Sequence, residues 1–305
     1  MEAQIIEFTV DDAGERLDKL IVAQVDGLSR SQVQALIKSG GVMVDGEIVK
    51  PGVKLRGGEM VRVTLPEPET TEIVPEAIPL NIIYEDDFIA VIDKPAGLVV
   101  HPGVGNESGT LVNALLAAYP QLADLGDAEE RYGIVHRLDK DTSGVMVIAK
   151  TIDALDDLMA QFRMRTVDKT YLALLERTPK TLTGRIDAPI GRDPQQRKRM
   201  AVVRDGKSAL TEFRVLDDHF RDDQALVEFR IMTGRTHQIR VHAAFIGCPV
   251  VGDTIYGFRK QRLKLKRNFL HAAKLSFDHP DSGERMTFEV EMPVGLRNIL
   301  EKLRH

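Results

Sequence analysis

The sixteen residues from Leu65 to Leu80, LPEPETTEIVPEAIPL, contain four prolines and four glutamates and show no apolar periodicity. Each proline fixes its own φ, lacks a backbone donor and disfavours helix in the residue before it, so the segment must run extended. Clustered glutamates repel one another and keep such a stretch solvated. A chain interrupted in this way folds as separate bodies. The boundaries read as a small module over 14–65, an acidic, proline-rich linker over 66–80 and a large unit over 81–305.

Composition narrows the class of protein. Of the 305 residues 43% are hydrophobic and 29% charged, the balance of an ordinary globular chain. The lone cysteine, Cys248, leaves no internal disulfide and no thiolate cluster for zinc or iron–sulfur chemistry, which fits a reducing compartment. The opening MEAQIIEFTVDDAGER is acidic and has no signal-peptide core. No apolar stretch approaches the roughly 18 residues of a membrane span. The expectation is a cytoplasmic protein with no membrane partner, no metal and, by default, a monomeric state. A net charge of −5 argues mildly against a polyanionic partner, yet the charge is uneven. Acids gather at Glu67–Glu76 and Asp124–Glu130, whereas bases gather at Arg192–Arg204 and Arg259–Arg267. Either basic run alone reads equally well as a solvated loop. Two of them on one chain, with a balancing acidic linker, favour a polyanionic substrate.

The small module has a legible order. Leu17, Leu20, Ile21 and Val25 lie near helical spacing, and Ser29-Arg30-Ser31-Gln32 reads as a capping box opening a second helix with Val33, Leu36 and Ile37 on one face. Val42–Val44 and Glu47–Val49 flank Asp45-Gly46, a hairpin turn signal. Val61, Val63 and Leu65 alternate as a further strand, and Arg16, Lys19, Arg30 and Lys38 are expected on the surface.

The large unit shows no steady βαβ alternation. Ile82–Tyr84 and Phe88–Ile92 read as paired strands, Thr110 as the cap of a helix carrying Leu111, Ala114, Leu115 and Ala118, and Val145–Ala149 as a strand buried on both faces. A helix over 152–164 follows, then strands near 170–175, 208–215 and 225–231. The fold class expected is α+β, with a mainly antiparallel mixed sheet in the large domain.

Three polar clusters lie at the ends of these apolar segments. They are Lys94-Pro95-Ala96-Gly97, the run His136–Gly144 (HRLDKDTSG), and the run Thr233–His242 (TGRTHQIRVH). Groups of this kind are costly near a core unless they pair with one another. The phrase LSRSQVQALIKSGGVMVDG resembles the small RNA-binding domain first described in a small-subunit ribosomal protein, the S-four domain. HRLDKDTSG resembles the catalytic signature of the RluA family of pseudouridine synthases. GRTHQIRVH, KPAGLVVHPG and LHAAKLSFDHP resemble further motifs of the same family, most closely its RluD-like branch, whose members modify large-subunit ribosomal RNA.

The resemblance implies an isomerase that converts uridine to pseudouridine in large-subunit (23S) ribosomal RNA or its precursor, without a cofactor. It assigns Asp139 as the essential carboxylate, acting as nucleophile or base at the ribose, and Arg240 as its ion-pair partner. Tyr171, in KTYLALL, becomes the residue that stacks on uracil or assists late proton removal from carbon 5. Arg137 lies two residues before Asp139, so an extended segment points both to the same side. By resemblance it fills the space left by a flipped uridine. His136 and Thr142 become supporting residues, with ordinary turn hydrogen-bonders as the alternative. Lys94 is read as a phosphate contact, with a plain surface lysine as the alternative. Arg16, Arg30 and Lys38 of the module are RNA-binding candidates.

Other readings fit less well. Asp141-Thr142-Ser143-Gly144 superficially matches an aspartic-protease turn, but that chemistry needs two such turns and Gly252-Asp253-Thr254-Ile255 lacks the second glycine. A methyltransferase needs a glycine-rich nucleotide loop, which Gly103-Val104-Gly105 does not supply. A non-catalytic RNA-binding or ribosome-assembly protein is the remaining alternative. It requires the basic runs and the module, but not Asp139, Tyr171 and Arg240 together.

Overall fold

A computed structural model describes all residues except 1–3, 12, 26–27, 29, 66–72, 104, 126–130, 197–198, 264 and 305. Several expectations touch these positions and lie outside the described residues. They are the cap at Ser29, the linker residues 66–72, residues 126–130 of one acidic run, and Arg197, Lys198 and Lys264 of the basic runs. The chain divides into two compact units, residues 1–72 and 73–305.

The first unit contains β1 (Gln4–Thr9), α1 (Leu17–Gln24), α2 (Arg30–Lys38), β2 (Val42–Val44), β3 (Glu47–Ile48) and β4 (Met60–Leu65). Its four strands form an antiparallel sheet in the order β1-β4-β2-β3. Asp45 and Gly46 both take positive φ, 50° and 82°, so the hairpin turn twists with its strands as the Asp-Gly pair requires. Leu17, Leu20 and Ile21 of α1 and Val33 and Ile37 of α2 pack on Val42, Val61 and Val63. The module starts ten residues earlier than its expected beginning at 14, because β1 pairs with β4 along its whole length. The alternation of Ile6, Phe8 and Val10 toward the core is the signal for that strand.

A buried acid organises the polar side of the module. Asp18 is fully buried and accepts hydrogen bonds from Arg16 (3.0 Å to each oxygen), Arg30 (2.9 and 3.1 Å) and Gln34 (2.9 Å). The Arg16 hydrogen bond, with help from Gln34 and Arg30 and against the cost of burial, holds this carboxyl well below the usual range. Arg16 is therefore half-buried rather than freely exposed, and Arg30 is exposed but tethered; Lys38 is exposed.

The second unit holds β5 (Ile82–Glu85), β6 (Ile89–Lys94), α3 (Leu111–Ala118), β7 (Ser143–Ala149), α4 (Ile152–Met164), β8 (Asp168–Leu175) and β9 (Thr183–Asp187). After these come β10 (Ile190–Arg192), β11 (Met200–Val202), β12 (Leu210–Asp217), β13 (Ala225–Ile231), α5 (Gln238–Phe245), β14 (Leu270–Asp278), β15 (Arg285–Glu289) and α6 (Val294–Arg304). The large sheet runs β5-β6-β7-β14-β8-β13-β12-β9, with β15 paired to β14. Among the described strands only β7 and β14 pair in parallel, so the sheet is mixed and mainly antiparallel, as expected. None of the described helices is long and apolar enough to cross a membrane.

Strand β7 is buried along its whole length because both faces of the sheet are covered. Val145, Val147 and Ala149 face α4 through Ala154, Leu155 and Leu158, while Met146 and Ile148 face the larger core with Leu111 and Leu115 of α3. Thr110 caps α3 in a capping box with Asn113, and Thr151 caps α4. The chain enters β7 through Gly144, at φ 127°. A Cβ there would lie 2.2 Å from the Ala272 carbonyl of β14, so this position admits only glycine. The residues before it are thereby fixed at the end of a rigid strand.

Asp18→Ala should leave Arg16, Arg30 and Gln34 without their shared acceptor and destabilise the module by about 2 kcal/mol. Hydrogen exchange of the amides in β1, β2 and β4 should accelerate accordingly. Unchanged protection would show that the cluster only decorates the surface.

Candidate active site

A cavity of about 790 Å³ opens within the second unit, between the loop before β7, the C-terminal turn of α4, the start of β8 and the β13–α5 turn. Asp139, Arg137, Tyr171 and Arg240 all line it. Among the described lining residues, Asp139 is the sole carboxylate against seven cationic side chains: Arg131, Arg137, Arg163, Arg165, Lys169, Arg235 and Arg240. The net negative charge of the chain is thus absent from the place where a polyanion would enter.

The centre of the site is a chain of three charges. Arg240, on α5, donates from NH1 to Asp139 Oδ2 at 3.0 Å. Its Nε and NH2 donate to Asp253 Oδ2 at 2.6 Å and Oδ1 at 3.0 Å, a bidentate fork. Asp253 is buried and also accepts the backbone N–H groups of Ile255 and Tyr256 at 2.9 and 3.0 Å. Burial penalises both partners. For Asp253 the Arg240 contacts outweigh that penalty and depress its pKa, and for Arg240 the Asp253 contacts do the same and raise its own. Asp139 keeps 21% of its side chain exposed, and its Oδ1 has no hydrogen-bond partner among the described residues. One oxygen is held and the other is open.

His237 is a further neighbour, in left-handed conformation (φ 57°) at the N-cap of α5. Its Nε2 lies 3.9 Å from Asp139 Oδ2, and its Nδ1 lies 2.8 Å from the Tyr256 hydroxyl. That hydroxyl accepts the Met200 N–H at 2.9 Å. A carboxylate beside Nε2 favours the proton there, so Nδ1 accepts from Tyr256. Burial lowers the imidazole's pKa. The rest of the turn is structural: Gln238 Oε1 accepts from the Thr233 hydroxyl (2.7 Å) and the Arg235 N–H (3.0 Å).

The loop carrying Asp139 is braced from behind. The Thr142 N–H donates to the Asp139 carbonyl at 3.1 Å, and Gly97 N–H donates to the Lys140 carbonyl at 2.7 Å. Lys94 is fully buried, and its ammonium donates to the carbonyls of Pro95, Leu98 and Lys140 at 2.9, 2.8 and 3.3 Å. Burial pulls its pKa down to about 8. This corrects both expectations for Lys94: it is neither a phosphate contact nor a surface lysine, but a clasp between two loops. One layer further in, Ser143 Oγ lies 2.9 Å from His271 Nδ1, and His271 Nε2 lies 3.1 Å from the Val290 carbonyl. A carbonyl only accepts, so the proton is on Nε2 and Nδ1 takes the hydroxyl of Ser143. Arg267 donates to the same hydroxyl at 3.0 Å.

The remaining candidates separate by environment. Tyr171 is buried, and burial together with the charge of Asp139 raises its phenol pKa, so it presents a protonated ring rather than a phenolate base. His136 stacks on Phe162 at 4.7 Å, accepts the Val147 N–H at 3.1 Å, and is lowered by burial to about 3, so it stays neutral. It is thereby fixed in the cavity wall. Thr142 is buried with its hydroxyl unpartnered among the described residues. Arg137 is exposed, has no hydrogen bond to a described residue, and borders both the main cavity and a smaller one of about 290 Å³ behind Asp139. Arg16, Arg30 and Lys38 belong to the other unit.

Sequence reasoning did not assign roles to Asp253, Tyr256, His237 or Lys169. The signal for Asp253 was an acid in the apolar run CPVVGDTIYG, since an acid among such neighbours needs a cation. Among the described residues the grouping with metal-ligand spacing is Asp217, Asp218 and His219, which is not among the lining residues of the cavity.

Residues 88–245 match the family model described as RNA pseudouridylate synthase, and residues 15–61 match the S4 domain. An Aquifex aeolicus protein named uncharacterized RNA pseudouridine synthase is 49% identical, over 97% of this chain and 96% of the relative. A Xanthomonas campestris protein named ribosomal large subunit pseudouridine synthase D is 46% identical, over 96% of this chain and 90% of its own length. Among solved structures, human RNA Pseudouridylate Synthase Domain Containing 1 superposes with a TM-score of 0.58 at 26% identity, covering 75% of this chain and 96% of that one.

Arg240→Lys replaces a planar fork by a point charge that does not serve both carboxylates. Stability should fall by about 3 kcal/mol, read from the urea midpoint, because a buried carboxylate loses its partner. An unchanged midpoint would mean that Asp253 is satisfied by its backbone donors alone.

Proposed function

The chain belongs to the RNA pseudouridylate synthase family, and from that membership we propose that it isomerises specific uridines of large-subunit ribosomal RNA, with Asp139 as the carboxylate at the ribose. The observation that carries the assignment of Asp139 is its asymmetry. Arg240 holds one oxygen in place, while the other has no hydrogen-bond partner among the described residues and the residue lines an open, cation-rich cavity.

The reaction breaks the bond from ribose C1′ to N1 of uracil and makes one from C1′ to C5. No electrons are gained or lost overall, so side chains alone can drive it. The task requires an ionised carboxylate beside the ribose, as nucleophile or as base, and a pocket that retains the freed ring. Tyr171 supplies a protonated aromatic face in the cavity floor, which supports stacking against uracil over a phenolate role. Arg137, free at the rim, suits the space that a flipped nucleotide leaves. The exposed rim arginines suit phosphates. His136 and Thr142 support the wall and the turn. Arg16, Arg30 and Lys38 serve backbone binding by the module, whose S4 match and Asp18-tethered arginines support that role. The name of the Xanthomonas relative, a ribosomal large subunit pseudouridine synthase, supports large-subunit RNA as the substrate.

Wild-type protein should release tritium from ribosomal RNA labelled at C5 of uridine, while Asp139→Asn should be slower by at least about a thousandfold with RNA affinity retained. Activity in the variant would remove the mechanism. Silence of the wild type on both naked RNA and assembled large subunits would favour a non-catalytic RNA-binding role.

A further inference from the structure

Lys169 lies on β8 two residues before Tyr171, so both side chains leave the same face of the strand and enter the same cavity. Its residue is only 6% exposed. The ammonium sits 5.4 Å from the centroid of the Phe162 ring and donates no hydrogen bond to any described residue. A buried lysine without an acceptor is unusual, because the group loses its hydration and gains nothing equal in return. Lys94, the other lysine buried in this unit, has three carbonyl acceptors.

The groups around Lys169 leave its charge uncompensated on the cavity side. Asp168 precedes it but turns to the opposite face, where Arg230 and Arg285 engage both of its oxygens. Arg165, after α4, is a cation, and His136, stacked on the same Phe162 ring, is neutral. No described residue takes its donors, so they are available to a substrate that enters the cavity and displaces water. Asp139, Tyr171 and Lys169 all line this cavity, Tyr171 and Lys169 from one face of β8, and Asp139 is near enough to Tyr171 to raise its pKa. Two residues along a strand span about 7 Å, comparable to the reach of a pyrimidine and its carbonyl oxygens from the ribose.

We propose that Lys169 is a further catalytic residue, donating a hydrogen bond to a carbonyl oxygen of the flipped uracil and stabilising the charge that this ring gains when it leaves the ribose. The inference rests on the uridine-isomerising reading above. When the C1′–N1 bond breaks, its electron pair stays with uracil, and the negative charge spreads over N1, O2 and O4. The new bond from C1′ uses the electron pair at C5; the C5 proton then passes to solvent, and N1 takes up a proton from solvent. The ring is neutral before and after, so a fixed ammonium at a carbonyl oxygen binds the intermediate stage more tightly than either end. Lys169 keeps its proton throughout. A phosphate is the less suitable acceptor, because it stays hydrated and the exposed arginines of the cavity are open to it.

The test compares Lys169→Met and Lys169→Arg with wild type by tritium release from C5-labelled ribosomal RNA, alongside RNA affinity. Lys169→Met should lower kcat by about a hundredfold, with KM and Kd changed by no more than about threefold. Lys169→Arg should recover at least about tenfold of that loss, since it retains a cationic donor. Burial lowers the ammonium to about 8, outweighing Asp168, so the wild-type rate should fall as pH rises through about 8. Lys169→Arg stays charged there and should lose that alkaline limb. A limb kept in Lys169→Arg would belong to the RNA or to another group and would overturn the proposal, even if Lys169→Met failed to fold. A rise in KM and Kd at constant kcat would make Lys169 a backbone contact, and unchanged kinetics would make it a bystander. Silence of the wild type would sink the isomerase reading itself, and this inference with it.

Discussion

Arg240 is the residue on which the site depends, because it is shared between an acid that is sealed and an acid that is open. A buried guanidinium beside a single carboxylate gains little after desolvation. Two carboxylates change the balance, and Asp253 can take the larger share because two backbone N–H groups also stabilise it. The NH1 left over is then aimed at Asp139 by a rigid fork rather than by a flexible stem. The fork needs α5 to begin where it does, which the bonded Thr233, Arg235 and Gln238 turn arranges, and needs the Asp253 turn to close against it. Packing on two fronts fixes α5: Ile239 and Ala243 toward the large core, Val241 toward the small core under β10 and β11.

Electrostatics in the cavity follow from the same arrangement. A sole carboxylate among seven cations gives a site that attracts a polyanion, yet the positive charges are not equivalent. Those on exposed arginines are screened by water and salt, and favour phosphates at long range. Those on the floor act in a drier medium, where the same charge has more effect on a ring whose own charge changes. Burial keeps His136 and Tyr171 uncharged at neutral pH, so neither competes with Asp139 for a cation or for a proton. The net charge of −5 predicts none of this, since it sums over surfaces that never meet the substrate.

What the sequence made legible was local. The Asp-Gly hairpin, the Thr110 cap, the apolar run Val145–Ala149 of β7 and the helix over 152–164 each depend on neighbours a few residues away, and each stands where the pattern put it. Strand β14 was not legible as a strand. LHAAKLSFD is rich in helix formers, and only its position between β7 and β8 makes it extended. β1 was missed because a single edge strand alternates too briefly beside an acidic start. In the site, Asp139, Tyr171 and Arg240 came through resemblance and do converge on one cavity. Asp253 and Tyr256 did not, because their roles exist only after residues 13 or more positions apart are brought together.

The two buried lysines show why composition at a site falls short of assigning function. Lys94 and Lys169 are both sealed in the second unit, and burial lowers each to about 8. The place of Lys94 in a motif points to a phosphate contact, yet its donors are spent on three carbonyls that join the Pro95 and Lys140 loops. Removing it would loosen the support of Asp139 without removing a substrate contact. Lys169 had no assigned role, yet its donors are unspent and the cavity is where they can be used. Burial alone treats the two alike; the inventory of acceptors separates a clasp from a reagent. The same test divides Arg240 from Arg137: one is a fixture of the fold, and the other is exposed with no hydrogen bond to a described residue.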